Sequence, residues 1–192
     1  MKNILRLGAI LFTICAVAAL ALGFINQITA PIIEDRNIQA NNELRQLVLE
    51  DATEFKQLDK KVIENIDGLE EGIVSEVYEG ISGSDAVGYT IKTLPSGYGG
   101  VMEVIVGISK DGKITGVNIG NMAETPGLGT KANEPNFKGQ FSEKEAKELS
   151  VVKGSATSDN QIAAISGATI TSEAVTRGVN AAIKVFNESL NK

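Results

Sequence analysis

An uncharged run of nineteen residues, positions 7 to 25, constrains this chain more than any other feature of it. Coiled as a helix it spans roughly 28 Å at 1.5 Å per residue, about the hydrocarbon thickness of a bilayer. Lys2 and Arg6 precede the run, and Glu34 and Asp35 follow it. By the positive-inside rule, residues 1–6 stay in the cytoplasm and 7–28 cross the cell (inner) membrane once, against lipid. The rest of the chain is then delivered to the outer or periplasmic side. A cleaved secretory signal is the competing reading, helped by Ala19-Leu20-Ala21, although the apolar core is long for one. Ile14, just before Cys15, is bulky where a lipoprotein signal takes a small residue. Cys15 therefore reads as a helix-packing residue or a contact with a neighbouring subunit.

The side-chain inventory narrows the chemistry. Among 192 residues there is no histidine and a single cysteine. Zinc sites, iron–sulfur clusters built by this chain alone, Ser-His-Asp triads and Cys-His dyads all lack their parts, so no metal site is expected. One cysteine also permits no internal disulfide. Net charge is −6, and no basic cluster follows the apolar run, which argues against a nucleic-acid partner. Redox work by such a chain would need a borrowed cofactor.

Beyond the span, Pro31 is expected to bend the exit. Residues 29–60 read as a helical stalk, with partial apolar periodicity at Ile33, Leu44, Leu47 and Val48. With 43% hydrophobic residues overall, the chain has material for one domain core, placed over 61–192. Asp67-Gly68 and Glu71-Gly72 mark turns. From residue 73 the apolar period becomes two. Residues 73–78 and 86–93 read as strands around the turn-rich stretch 79–85. The strongest strand is 101–109, with Met102, Val104, Val106 and Ile108 on one face, and Asp111-Gly112 turns it into 114–119. Phe141 and the capping box Ser142-Glu143-Lys144-Glu145, with Ala146 as staple partner, predict a short helix ending near Leu149. Residues 151–158 and 161–165 read as short strands or loops. The fold class is α+β: a single N-terminal transmembrane helix, then an antiparallel sheet flanked by helices.

Three segments invite a ligand. Pro95-Ser96-Gly97-Tyr98-Gly99-Gly100 is either a flexible corner or a place where backbone approaches a flat molecule, with Tyr98 leaning on it. In Glu124-Thr125-Pro126-Gly127-Leu128-Gly129-Thr130-Lys131, Pro126 and Gly127 fit the middle of a type II turn, and Gly129 opens more backbone N–H groups. Ser166-Gly167-Ala168-Thr169-Ile170-Thr171-Ser172 feeds a helix striped by Val175, Val179, Ala182, Ile183 and Phe186. Thr171 or Ser172 is its N-cap candidate. Hydroxyls crowded at a helix N-terminus suit an anion, and equally suit plain capping.

Ser-Gly-Ala-Thr followed by Ile-Thr-Ser resembles the flavinylation motif of the FMN-binding domain family, and Glu-Thr-Pro-Gly-Leu-Gly resembles that family's second element. The resemblance implies that Thr169 carries FMN through a phosphoester bond, and that residues 61–192 are one FMN-binding domain. It further implies that Tyr98, Gly99, Gly100, Glu124, Thr125, Leu128, Gly129, Lys131, Ser166, Gly167, Ala168 and Thr171 hold the cofactor. In that family the 124–131 loop lies against the isoalloxazine, and the position of Lys131 is often basic. One departure is Ala163, which stands where the family pattern has an aspartate. The layout of the whole chain resembles the G subunits of Rnf-type complexes, which link ferredoxin and NAD to ion transport. The C subunits of sodium-pumping NADH:quinone reductases are near relatives. The resemblance thus implies electron relay within a translocase, with no catalytic residue of its own. Implied partners are other membrane subunits, one of them a second flavin carrier, and a flavin transferase for maturation. A C-type subunit, an anchored reductase with its own small substrate and a non-redox exported binding or scaffold module are the alternatives.

Overall fold

The computed structural model describes residues 2–64 and 66–191. Its first element, α1, is Lys2–Val48, assigned as helix without a break through position 31. Within it, Arg6–Ala30 is long and apolar enough to cross a membrane. Leu11, Phe12, Leu20 and Phe24 stand exposed there, a surface that water penalises and hydrocarbon does not. The hydroxyls of Thr13 and Thr29 donate to the carbonyls of Ala9 and Ile25, so their polarity is satisfied inside the helix. The chain divides into two compact units between Asn41 and Asn42.

The second unit begins inside α1. Residues 49–57, read from sequence as stalk, leave the helix: β1, Glu54–Gln57, is the edge strand of a sheet. That sheet continues with β2 (Val74–Ser82), β3 (Asp85–Thr93), β4 (Val104–Ser109) and β5 (Ile114–Ile119). Neighbours in the sequence are neighbours in the sheet, and every pairing is antiparallel. The antiparallel sheet expected from residue 73 onward is therefore present. It gains β1, and β2 runs on through the predicted turn at Gly80. The Asp111-Gly112 turn closes as expected, with Gly112 at φ 76° and its N–H on the Ser109 carbonyl.

After the sheet come α2 (Pro135–Lys138), a two-stranded parallel pair β6 (Ser150–Val152) and β7 (Gln161–Ala163), and the long helix α3 (Thr169–Val185). The front face of the sheet, including Ile91, Val104, Val106 and Ile108, shares one core with Val175, Val179, Ala182 and Phe186, as the helical stripe requires. Gly178 brings α3 close to the sheet: a Cβ there would lie 2.6 Å from the Thr93 hydroxyl.

The back face is built differently. Gly80 and Gly88 pair across β2 and β3, and Gly107 and Gly116 pair across β4 and β5. Val48, the last residue of α1, and Leu49, just past it, lie directly on these four glycines, where a Cβ would intrude at 2.1 to 3.3 Å. Thr115 Oγ1 donates to the Val48 carbonyl. Arg45 is 3% exposed, donates to Asn42 and Glu76, and lies 3.6 Å over the Tyr78 ring.

The helix predicted over 142–149 is absent. Glu143 takes a left-handed φ of 62°, which ends any helix there. The segment instead runs beside the β4–β5 turn, where the N–H groups of Glu143 and Ala146 donate to the carbonyls of Ile114 and Gly112. Those tertiary bonds replace the capping box.

Candidate functional site

The three segments singled out from the sequence converge at the N-terminus of α3. The 95–101 loop is closed by two bonds, from Gly97 N–H to the Gly100 carbonyl and from Met102 N–H to the Pro95 carbonyl. Gly99 packs so tightly against residue 123 that a Cβ would fall 1.9 Å from the Ala123 carbonyl oxygen. Gly100 has a φ of 140° and is exposed. Tyr98 is 70% exposed, so its ring points away from the core.

In the second segment, Leu128 N–H donates to the Thr125 carbonyl and Gly127 has a φ of 76°, as the Pro-Gly turn requires. The Thr125 carbonyl also receives the Thr130 N–H, while Thr130 Oγ1 accepts from Gly127 N–H. Leu128 stands against Gly167 of the third segment, where a Cβ would meet its Cδ2 at 3.2 Å. Lys131 sits exposed in the turn Gly129–Asn133 and joins no ion pair among the described residues.

The third segment starts α3 one turn earlier than the sequence suggests. Ala168 is the N-cap, with no side-chain cap bond, and Thr169 is the first helical residue. Neither Thr171 nor Ser172 caps the helix, because both are buried within its first turn. Ser172 Oγ accepts from Ile165 N–H and donates back to the Ala168 carbonyl. Thr171 Oγ1 donates to Glu124 Oε2 at 2.8 Å. Thr169 is half-buried, and its hydroxyl has no hydrogen-bond partner among the described residues. Ser166 and Gly167 are exposed beside it, Gly167 at φ 79°. The first-turn N–H groups thus stay free for an outside acceptor, together with the positive end of a 17-residue helix.

Glu124 and Thr171 therefore turn inward and bond to each other, while Tyr98, Leu128, Ser166 and Gly167 face outward, with Thr169 half-buried beside them. Val101 (57% exposed) and Ile170 (53%) join Tyr98 and Leu128 as exposed apolar side chains on these same segments. Sequence reasoning passed over both. The alternation that buries Met102 and Val104 does put Val101 on the opposite face. Arg177, also overlooked, donates to the Ser96 carbonyl at 2.9 Å and pairs with Glu70 at 3.5 Å, so α3 holds the 95–101 loop from a second point. Ala163, in β7, pairs through its backbone N–H and carbonyl with the Gln140 amide. A rim of exposed apolar groups beside close-packed glycine backbone, ending at an uncapped helix with a free hydroxyl, fits a flat ring with an anionic tail.

Comparison with known proteins agrees with that shape. Residues 97–184, which take in the second and third segments and the first from Gly97 onward, match the FMN-binding domain family. The chain is 48% identical over its whole length to the G subunit of the Na(+)-translocating ferredoxin:NAD(+) oxidoreductase complex of Acetobacterium woodii, covering 95% of that protein. It is 32% identical to the G subunit of the proton-translocating ferredoxin:NAD(+) oxidoreductase complex of Clostridium ljungdahlii, over 88% of this chain and 84% of that one. Among solved structures, the C subunit of the Na(+)-translocating NADH-quinone reductase of Parabacteroides distasonis shares the fold, with a TM-score of 0.59 at 20% identity. The match covers 82% of this chain and 97% of that one.

Proposed function

Because the chain belongs to the family of G subunits of ion-translocating ferredoxin:NAD(+) oxidoreductase complexes, we propose that it is a membrane-anchored flavoprotein subunit that relays electrons through FMN within such a complex. The observation that carries this reading is the free Thr169 hydroxyl at the uncapped start of α3, where the glycine loop and the Pro-Gly-Leu-Gly loop meet. The likeness to the C subunit of the NADH-quinone reductase, at 20% identity, concerns the fold. The full-length identity lies with the G subunits.

FMN, when bound, supplies the transfer of one or two electrons; the protein's own side chains supply the place. In this reading Thr169 is the acceptor of a phosphoester bond to FMN, made by a flavin transferase. The first-turn N–H groups of α3 and the helix dipole stabilise the phosphate charge by about 0.3–1 kcal/mol. Ser166, Gly167 and Ala168 shape the turn that presents the phosphate. Gly99 and Gly100 let backbone approach the ring, and Tyr98 and Leu128 cover its apolar faces. Thr125 and Gly129 hold the second loop in its turn, and Lys131 contributes a positive charge near the cofactor. Arg6–Ala30 anchors the protein in the cell membrane, with its N-terminus in the cytoplasm and the flavin domain outside. There it meets the other membrane subunits, including a second flavin carrier. Ala163 leaves the family's aspartate position without a carboxylate, so attachment here proceeds without one at that position.

Flavin fluorescence on a denaturing gel tests the reading, using protein co-expressed with a flavin transferase. A fluorescent band is expected for the wild type and none for Thr169→Val. A dark wild-type band, or a bright Thr169→Val band, overturns the covalent assignment.

A further inference from the structure

Glu124 is a charged side chain with only 7% exposure, and no cation among the described residues pairs with it. Charged groups so deeply buried are rare unless something holds them. Its two oxygens are engaged instead by neutral donors from two other segments: Gly99 N–H reaches Oε1 at 3.1 Å and the Thr171 hydroxyl reaches Oε2 at 2.8 Å. Those partners lie 25 residues before it and 47 residues after it. The space is reserved by glycines. A Cβ on Gly97 would fall 2.3 Å from Oε1, and one on Gly129 would fall 2.3 Å from Oε2 and 2.9 Å from the Thr171 hydroxyl. Arg177, which also holds the 95–101 loop, is engaged with the Ser96 carbonyl and Glu70.

We propose that Glu124 is a positioning residue that fixes the 95–101 loop in register with the first turn of α3, and so with Thr169. The inference rests on the flavin reading above for its consequence, but the tie is a property of the protein alone. Thr171 lies two residues beyond Thr169 on the same turn, so holding the one orients the other. Gly99 lies in the loop that meets the ring. One carboxylate thus sets the distance between ring platform and phosphate acceptor. Its two oxygens take one bond each, so neither is left without a partner. With no cation opposite it in a poorly solvated site, its charge acts on whatever these segments hold and opposes the addition of electrons there.

The test uses the full-length protein in detergent, in two arms. In the first, Thr169→Val provides a flavin-free background, and backbone amide exchange is compared with and without Glu124→Ala. Faster exchange in 97–100 and 169–172, with the strands of the sheet unchanged, is expected. Unaltered exchange in both segments overturns the proposal. In the second arm, Glu124→Gln keeps the side-chain size and can keep both bonds, because the Thr171 hydroxyl can turn to accept from the amide. Its flavin content should equal that of the wild type, with the flavin midpoint potential moved to a more positive value. A fully loaded Glu124→Gln protein with an unmoved potential refutes the charge effect and leaves the tie to the exchange result. A colourless wild type overturns the functional reading, while the first arm still decides the role of Glu124.

Discussion

Substituting Gly107 by alanine tests how the end of α1 is joined to the sheet. A Cβ at this position would lie 2.1 Å from the Val48 carbonyl oxygen, 2.8 Å from the Val48 carbonyl carbon and 2.5 Å from Thr115 Oγ1. Two of these three atoms are backbone, so no rotamer change relieves the clash and the last turn of α1 must lift. Lifting it breaks the bond from Thr115 to the Val48 carbonyl, worth about 1 kcal/mol. It also uncovers part of Val48 and Leu49, which are 2% and 1% exposed. If roughly half of their burial is lost, at about 1.5–3 kcal/mol for each side chain, the cost is a further 1.5–3 kcal/mol. Removing a glycine from the unfolded chain returns about 0.4–1 kcal/mol. The net destabilisation is about 1.5–3.5 kcal/mol, a fall in melting temperature of roughly 3–14 °C for a unit of this size. Thermal unfolding in detergent, followed by far-ultraviolet circular dichroism, reads this directly. Gly116→Ala is the internal comparison: its nearest contact would be 3.3 Å, so its effect should be much smaller. A Gly107→Ala protein as stable as the wild type, or one matched by Gly116→Ala, refutes the seating of α1 on the glycines.

Two further outcomes follow from the same unit. Arg45→Met should cost about 2–3 kcal/mol in urea unfolding, because it strands the Glu76 carboxylate, 27% exposed, and removes the contact over Tyr78. Glu76→Gln should cost less, since its amide oxygen can still accept from the guanidinium. Burial raises the Tyr89 phenol above its ordinary value of 10.0, with the charge of Glu79 adding to the rise. The folded state therefore keeps this proton longer than the unfolded one. Its contribution is whole below pH 10.0 and is lost as pH climbs through the folded value. Wild type should lose stability above pH 10.0 faster than Tyr89→Phe, and parallel curves refute the assignment.

Residues with strong local signals were legible in the sequence. Alternation over 86–93 and 104–109, the Asp111-Gly112 turn and the stripe on α3 all reflect burial on one face, which a pattern of apolar residues records. The same logic located the three segments of the site but not their internal bonds. That Glu124 turns inward to Gly99 and Thr171 is a long-range arrangement, and nothing adjacent to Glu124 in the chain encodes it. β1, with the sequence Glu-Phe-Lys-Gln, is an edge strand almost wholly exposed, so it carries no alternation to read. Gly80 reads as a turn because its role, a seat for Leu49, depends on a helix that ends far back in the chain, at Val48. The capping box at 142–145 is a genuine local preference, overridden by bonds to Gly112 and Ile114. Helix α3 begins ahead of its expected cap because Thr171 and Ser172 bond elsewhere.

Attachment of the flavin to Thr169 is tested by peptide mapping of the membrane-extracted protein. Cleavage after Lys153 and Arg177 releases residues 154–177, which contain Thr169 together with Ser166, Thr171, Ser172 and other hydroxyls. This peptide is expected to carry the added mass of FMN, with fragment ions placing it on Thr169. An unmodified peptide from cells that contain the flavin transferase, or a flavin located on another hydroxyl, contradicts that attachment.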